Sequence, residues 1–212
     1  YGQWAEGLKR ENKLREEKLV FQYETLKNQV NPHFLFNSLN TLSSLVYKSA
    51  ERSDEFIQKL SSIYRYILEH KDEDAVPLEK ELKFVKDFFY LQQTRDEGKI
   101  NLNIEVENAE AYKILPISLQ LLIENAIKHN AATREKPLNI SIKSVGGEMI
   151  EVSNNLQQKR QIDISSGIGL NNLSERIKLT LGKEVEIYAG RNKYTVKVPL
   201  IKADHEGTDH RR

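Results

Sequence analysis

The segment Gln29-Val30-Asn31-Pro32-His33-Phe34-Leu35-Phe36-Asn37-Ser38-Leu39-Asn40 holds the first side chains placed to do chemistry. A lone histidine in a helix is ordinarily a packed or solvated residue. His33 is set apart: it follows a proline break, stands between a charged helical stretch and an apolar one, and has Asn37 one turn later on the same face. A neutral imidazole can attack a phosphoryl group in line, and a neighbouring amide can orient the ring or a water. That chemistry requires a nucleotide site elsewhere in the chain.

Two later segments supply candidates. Leu121-Leu122-Ile123-Glu124-Asn125-Ala126-Ile127-Lys128-His129-Asn130 sets Glu124 and Asn125 in the middle of an otherwise apolar helix. Burying a carboxylate and an amide is expensive unless they bind something. Mg²⁺ takes hard oxygen ligands and keeps waters and substrate phosphates, so a Glu and Asn pair suits a Mg-nucleotide. Lys128 or His129, one turn along, could reach phosphate. The plainer reading is a helix with a polar edge at the surface. Ser165-Ser166-Gly167-Ile168-Gly169-Leu170-Asn171-Asn172 is a Gly-rich loop opening a helix, whose amides and positive end would receive an anion. Alone, Gly-x-Gly is more often a turn. No strand leads directly into it, as a dinucleotide fold requires, and it lacks the Gly-Lys-Ser/Thr ending of a P-loop.

These segments need elements to position them. Ala5 to about Asn28 is rich in strong helix formers, with Leu19, Tyr23, Leu26 and Val30 on one face and charge on the other, which suits a stalk or coiled coil. Asn31-Pro32 should kink or restart that helix, and Phe34 to Val46 continues an apolar stripe. A second helix is expected from about Ser53 to His70 on Phe56, Ile57, Leu60, Ile63, Tyr64 and Ile67. Two such helices make half of a four-helix bundle, which a homodimer would complete. Val76-Pro77-Leu78-Glu79 reads as a helix start with Pro77 inside the first turn, the helix running to about Arg95. After Gly98 the period becomes two, over Ile100 to Val106. A helix over 117–130 follows, then strands over 138–145 and 148–153 joined by Gly146-Gly147, a helix over 168–181, and strands over 185–189 and 194–199. Helices collect in the first 95 residues or so, and strands with helices in the rest. The expected fold class is α+β, a helical hairpin followed by an α/β sandwich.

Composition narrows the function classes. The 212 residues suffice for one or two domains with an ordinary core. With no cysteine, disulfide, thiolate and Cys–metal chemistry are excluded. A net charge of +1 argues against a protein whose main task is neutralising nucleic-acid phosphates. The most apolar stretch, 114–127, is broken by Glu124 and Asn125 and falls short of the roughly 20 residues of a bilayer span. The opening Tyr1-Gly2-Gln3-Trp4 lacks an initiator Met, so the chain reads as part of something longer.

Together, "NPHFLFNSLN", "LQLLIENAIKHN" and "GIGLNNLSERI" resemble the sensor histidine kinases of the LytS/YehU type, from about residue 20 to 200. Their kinase region pairs a helical dimerisation domain with a GHKL (Bergerat-fold) ATP-binding domain. The resemblance implies ATP and Mg²⁺, with His33 autophosphorylated and the phosphoryl group passed to an aspartate of a response regulator, a regulator with a LytTR-type DNA-binding domain being one form of partner. Asn125 would hold Mg²⁺, Glu124 act as base or water-positioner, and Lys128 and His129 line the phosphates. Gly167 and Gly169 would hinge a lid, with Asn172 and Arg176 on its helix. The implied domains are a signalling helix over 1–28, a dimerisation and phosphotransfer domain over 29–75, a GHKL domain over 76–202 and a polar tail over 203–212. Family members usually carry membrane helices upstream, so the chain would be the cytoplasmic part of a bacterial plasma-membrane receptor.

Two positions depart from the pattern. Where most GHKL domains have Asp-x-Gly, with the Asp accepting a hydrogen bond from the adenine amino group, this chain has Asn154 and Leu156. An Asn carbonyl can accept that bond without the strength of a charged acceptor. Phe34 stands where many histidine kinases place an acid, so a base for His33 must come from elsewhere, Glu124 being the candidate. Asn154 motivates a second reading, a dimeric signalling scaffold that keeps the fold without catalysis. A third, an ATPase or chaperone of the same fold, leaves His33 unexplained.

Overall fold

The computed structural model describes residues 32–96, 98–157, 159 and 168–203. The expected helix over 5–28, Gly167 and the tail beyond Ala203 lie outside them. The chain divides into two compact units, Tyr1–Asp54 and Glu55–Arg212.

In the first unit, α1 (Pro32–Val46) starts at the proline, whose fixed φ and missing N–H are tolerated in a first turn. It ends with Lys48 and Ser49 both donating to the Leu45 carbonyl. Ser49 then caps the next helix, α2 (Ala50–His70), its Oγ accepting the Arg52 N–H at 3.3 Å. This cap starts α2 three residues before the expected Ser53. The boundary between the units falls inside α2.

In the second unit, α2 carries Phe56 and Ile63, each 1 % exposed. It is tied to α3 (Leu78–Arg95) by polar contacts: Lys59 and Ser62 donate to Asp87 at 3.0 and 3.1 Å, and Tyr90 donates to Glu55 at 2.7 Å. Tyr66 stacks on Phe84 with ring centroids 4.3 Å apart. Pro77 lies just outside the first turn of α3, at φ −52° and ψ 132°, rather than inside it. The reason is β1 (Val76–Pro77), where Val76, extended as residues before proline prefer, pairs with Ile114.

The main sheet is formed by β2 (Ile100–Glu105), β4 (Leu138–Val145), β5 (Met149–Asn155), β6 (Glu186–Ala189) and β7 (Lys193–Pro199), in the order β2-β4-β5-β7-β6. Only β2 and β4 run parallel; the other neighbours are antiparallel. β4 and β5 form the expected hairpin, with Gly146 at φ +61° and Gly147 at φ +74°, the two positive angles that a tight hairpin turn demands. A smaller sheet joins β1 to β3 (Tyr112–Ile114) and β3 to β8 (Ile201–Lys202). Helix α4 (Ser118–His129) packs on β4 and β5, and α5 (Ile168–Leu181) packs on α4. Ile140, Ile142, Ile150 and Val152 of the sheet are buried, as are Leu119, Leu122 and Ile123 of α4.

The start of α4 is unusual. Ile117, its N-cap, has φ +69°, the left-handed region that a β-branched residue rarely enters, and its side chain offers nothing to the first free N–H groups. The cap comes from α3: the fully buried Glu81 accepts the N–H of Ile117 and of Leu119, each at 3.0 Å, and the hydroxyl of Tyr66. Burial pushes the Glu81 carboxyl from 4.5 up to about 7, against the hydrogen bonds from Tyr66, Ile117 and Leu119 and the nearby His70, all of which favour the charged form. With the folded value above the unfolded one, the native chain holds a proton that the unfolded chain has released. The associated stability is full below pH 4.5 and is lost as pH rises through about 7. Urea unfolding of the wild type and Glu81→Gln at pH 5 and pH 8 measures it. The stability of the wild type relative to Glu81→Gln should fall by about 2–3 kcal/mol across that range, and parallel pH profiles would contradict the assignment.

Candidate functional site

In the first unit, His33 is exposed in the opening turn of α1. The Asn37 amide nitrogen lies 3.3 Å from His33 Nδ1 and 3.2 Å from Nε2. A neutral ring has one unprotonated nitrogen, and that one accepts the amide N–H. The Thr41 hydroxyl donates to the Asn37 carbonyl at 3.0 Å, one turn further on. Beside this pair Phe36, Leu39 and Val46, at helical spacing, are 66 %, 46 % and 56 % exposed.

In the second unit, the remaining candidates sit on three elements, α4, β5 and α5, of which α4 contacts the other two. Glu124 and Asn125 occupy the middle of α4 and are half-buried; Gln120 donates to Glu124 at 2.7 Å. The Glu124 carboxylate and Asn125 carbonyl are hard oxygen donors of the kind Mg²⁺ takes, alongside phosphates and waters. Lys128 is exposed and His129 half-buried in the last turn.

Asn154 is 5 % exposed on β5, where alternation sets it on the same sheet face as Ile150 and Val152. Its amide nitrogen donates to the Asn155 carbonyl at 2.8 Å, which orients the side chain and leaves Oδ1 as its acceptor. An oxygen so placed fits an exocyclic amino group such as that of adenine. Tyr194, paired with Asn154 across β7, has its phenol pushed up by burial and stays neutral.

On α5, Gly169 lies in the first turn at negative φ, and a Cβ there would meet only Leu121 of α4, at an ordinary 3.7 Å. A Cβ would be accommodated there, so neither packing nor backbone conformation demands this glycine. Asn172 is exposed, and Arg176 donates to the Glu73 carbonyl at 2.9 Å.

Three residues that the sequence reading did not single out hold these elements in place. Glu81 caps the start of α4. At its other end Asn130 donates to the Ala126 carbonyl at 2.9 Å and accepts the Gln157 N–H at 2.8 Å. Lys159 donates through Nζ to the carbonyls of Ile127 and Lys128, at 3.2 and 2.9 Å, a cation where the helix dipole is negative. The largely polar run Asn154 to Lys159 was the available signal for Lys159. Among the described residues, no three His, Asp or Glu side chains gather as a metal cluster, and no helix is long and apolar enough to cross a membrane.

Comparison with known proteins identifies the type. Residues 21–100 match the family described as histidine kinase. The chain is 32% identical over 183 residues to the sensor histidine kinase/phosphatase LytS of Staphylococcus aureus strain MRSA252, covering 78% of this chain and 31% of that protein. LytS of strain N315 matches to the same extent. The chain thus spans about a third of the length of the curated relatives it matches. Among solved structures, the catalytic domain of histidine kinase ThkA aligns at TM-score 0.43 and 16% identity, over 59% of this chain and 95% of that one. A bacterial phosphotransferase aligns at TM-score 0.46 and 9% identity, over 80% and 91%. The assignment rests on the sequence matches: the chain belongs to the histidine kinase family, in its sensor-kinase branch similar to LytS.

Proposed function

We propose that the chain is the catalytic output region of a two-component sensor kinase, which phosphorylates His33 from ATP and passes the phosphoryl group to an aspartate of a response regulator. The observation that carries this reading is the exposed His33 imidazole, held by Asn37 one turn on at the start of α1. In the transfer, the unprotonated ring nitrogen attacks the γ-phosphorus, the bond to the β–γ bridging oxygen breaks with its electron pair going to ADP, and the ring's N–H proton leaves to a base. Glu124 is the candidate base, since Phe34 occupies the position next to His33.

ATP would be held by α4, β5 and the start of α5: Asn125 and Glu124 toward Mg²⁺, Lys128 and His129 toward the phosphates, Asn154 toward the adenine amino group, and Gly167, Gly169, Asn172 and Arg176 around the lid. Mg²⁺ supplies charge neutralisation of the phosphates when bound. Residues 29–75 would form the dimerisation and phosphotransfer domain and 76–202 the nucleotide-binding domain. Exposed Phe36, Leu39 and Val46 support a homodimer. A membrane sensor joined upstream through residues 1–28, and a regulator with a LytTR-type DNA-binding domain, complete the proposal.

Incubation with [γ-³²P]ATP and Mg²⁺ should give acid-labile, alkali-stable label that His33→Gln abolishes while Mg²⁺-nucleotide binding persists; label retained in that variant would sink the assignment. Asn154 lacks the charge of the usual acceptor, which favours a non-catalytic scaffold as second reading. Calorimetry with a non-hydrolysable ATP analogue separates the two. The kinase reading expects Mg²⁺-dependent binding weakened about tenfold or more by Asn125→Ala, and a scaffold expects no binding at all.

A further inference from the structure

We propose that Glu81 is a positioning residue for nucleotide binding: held by Tyr66 of α2, its carboxylate fixes the first turn of α4 and thereby the placement of Glu124 and Asn125. This rests on the reading that α4 binds the nucleotide.

Helices usually take their cap from the residue at their own start, a Ser, Thr, Asp or Asn. Here that place is held by Ile117 in a left-handed conformation, and the acceptor arrives from another helix 36 residues earlier in the chain. The start of α4 is therefore referenced to α3, through Glu81, and to α2, through Tyr66. Leu119, whose N–H binds Glu81, precedes Glu124 by five residues, about 7.5 Å of helix axis, so a shift of the first turn is carried directly to the candidate ligands. The end of α2 reaches the other side of the candidate site as well. Glu73, in the turn after α2, receives Arg176 of α5 on its carbonyl, while its carboxylate pairs with His70 at 2.9 Å.

Charge on Glu81 strengthens all three of these hydrogen bonds, whereas protonation weakens its acceptor oxygens and turns one of them into a donor that the Tyr66 oxygen alone can receive. Tyr66 and His70 of α2 are the titratable groups facing Glu81, and Glu73 beyond α2 acts on Tyr66. The other elements packed on α3 bring Glu105, Glu110 and Lys113, all exposed, and half-buried Tyr112. On α4, Glu124, Lys128 and His129 lie beyond the first turn.

The test measures Mg²⁺-dependent affinity for a non-hydrolysable ATP analogue from pH 5.5 to 8.5 in the wild type, Glu81→Gln and Tyr66→Phe, with amide hydrogen exchange of Ile117 and Leu119 followed in the same samples. The ratio of wild-type to Glu81→Gln affinity cancels the nucleotide's own titration. It should be near one at pH 5.5 and rise to about tenfold at pH 8.5, with a midpoint near 7, and protection of the two amides should follow the same curve. In Tyr66→Phe, which removes one donor to the carboxylate, the midpoint should move to higher pH. Where Glu81→Gln does not fold, the displacement between the wild-type and Tyr66→Phe profiles decides. A ratio independent of pH, an unmoved Tyr66→Phe midpoint, or unchanged protection of Ile117 and Leu119 overturns the proposal. If the wild type binds no nucleotide at any pH, the proposed function fails, and the exchange profiles still decide whether Glu81 holds α4.

Discussion

The second unit is organised around a carboxylate that cannot reach water. Three helices converge on Glu81: α3 carries it, α2 brings the Tyr66 hydroxyl and α4 brings two backbone N–H groups. Removing a carboxylate from water costs several kcal/mol, and only donors fixed in place offset this, so the three partners must arrive in one arrangement. An apolar contact of the same area would tolerate sliding of one helix along another. The hydrogen-bonded carboxylate does not, and it converts loosely specified helix packing into a defined relation between α2, α3 and the start of α4.

From that fixed start, α4 crosses β4 and β5 with Leu119, Leu122 and Ile123 buried, leaving Glu124, Asn125 and His129 half-buried and Lys128 exposed. The far end of the helix is secured with equal care. Asn130 and Lys159 satisfy four backbone groups between them, three carbonyls of the last turn and the N–H of Gln157. A helix whose polar residues serve a ligand gains from this double anchoring, because those residues then need no conformational search when the ligand arrives. Asn154 obeys the same logic on a smaller scale, its amide committed to a neighbouring carbonyl so that its oxygen is presented in one direction.

Much of this was legible in the sequence. The strand expected over 138–145 matches β4 to the residue, and paired glycines marked its hairpin with β5, because a turn with two positive φ angles has few chemical solutions. The helix expected over 168–181 is α5, and the His33–Asn37 spacing described a contact that the structure contains. The features that escaped share one property, that a distant segment decides them. Glu81, in Leu78-Glu79-Lys80-Glu81-Leu82, has the local pattern of a solvent-facing residue, and nothing nearby announces that Ile117 lacks a cap. The strands β1, β3 and β8, of two or three residues each, are too short to show any period; they exist because Val76, Ile114 and Ile201 find partners across the fold. Pro77 was misplaced by one turn position for the same reason.

The apolar stripe of Phe36, Leu39 and Val46 has a consequence of mass action. In the proposed dimer a second copy covers it, and the free energy that holds α1 in place then comes partly from association rather than from folding alone. The order of the helix that carries His33 becomes a function of protein concentration, with an unfolding midpoint that rises as the logarithm of that concentration. Were the chain tethered at a membrane as proposed, the raised local concentration would hold the helix that carries His33 more firmly than dilute solution does.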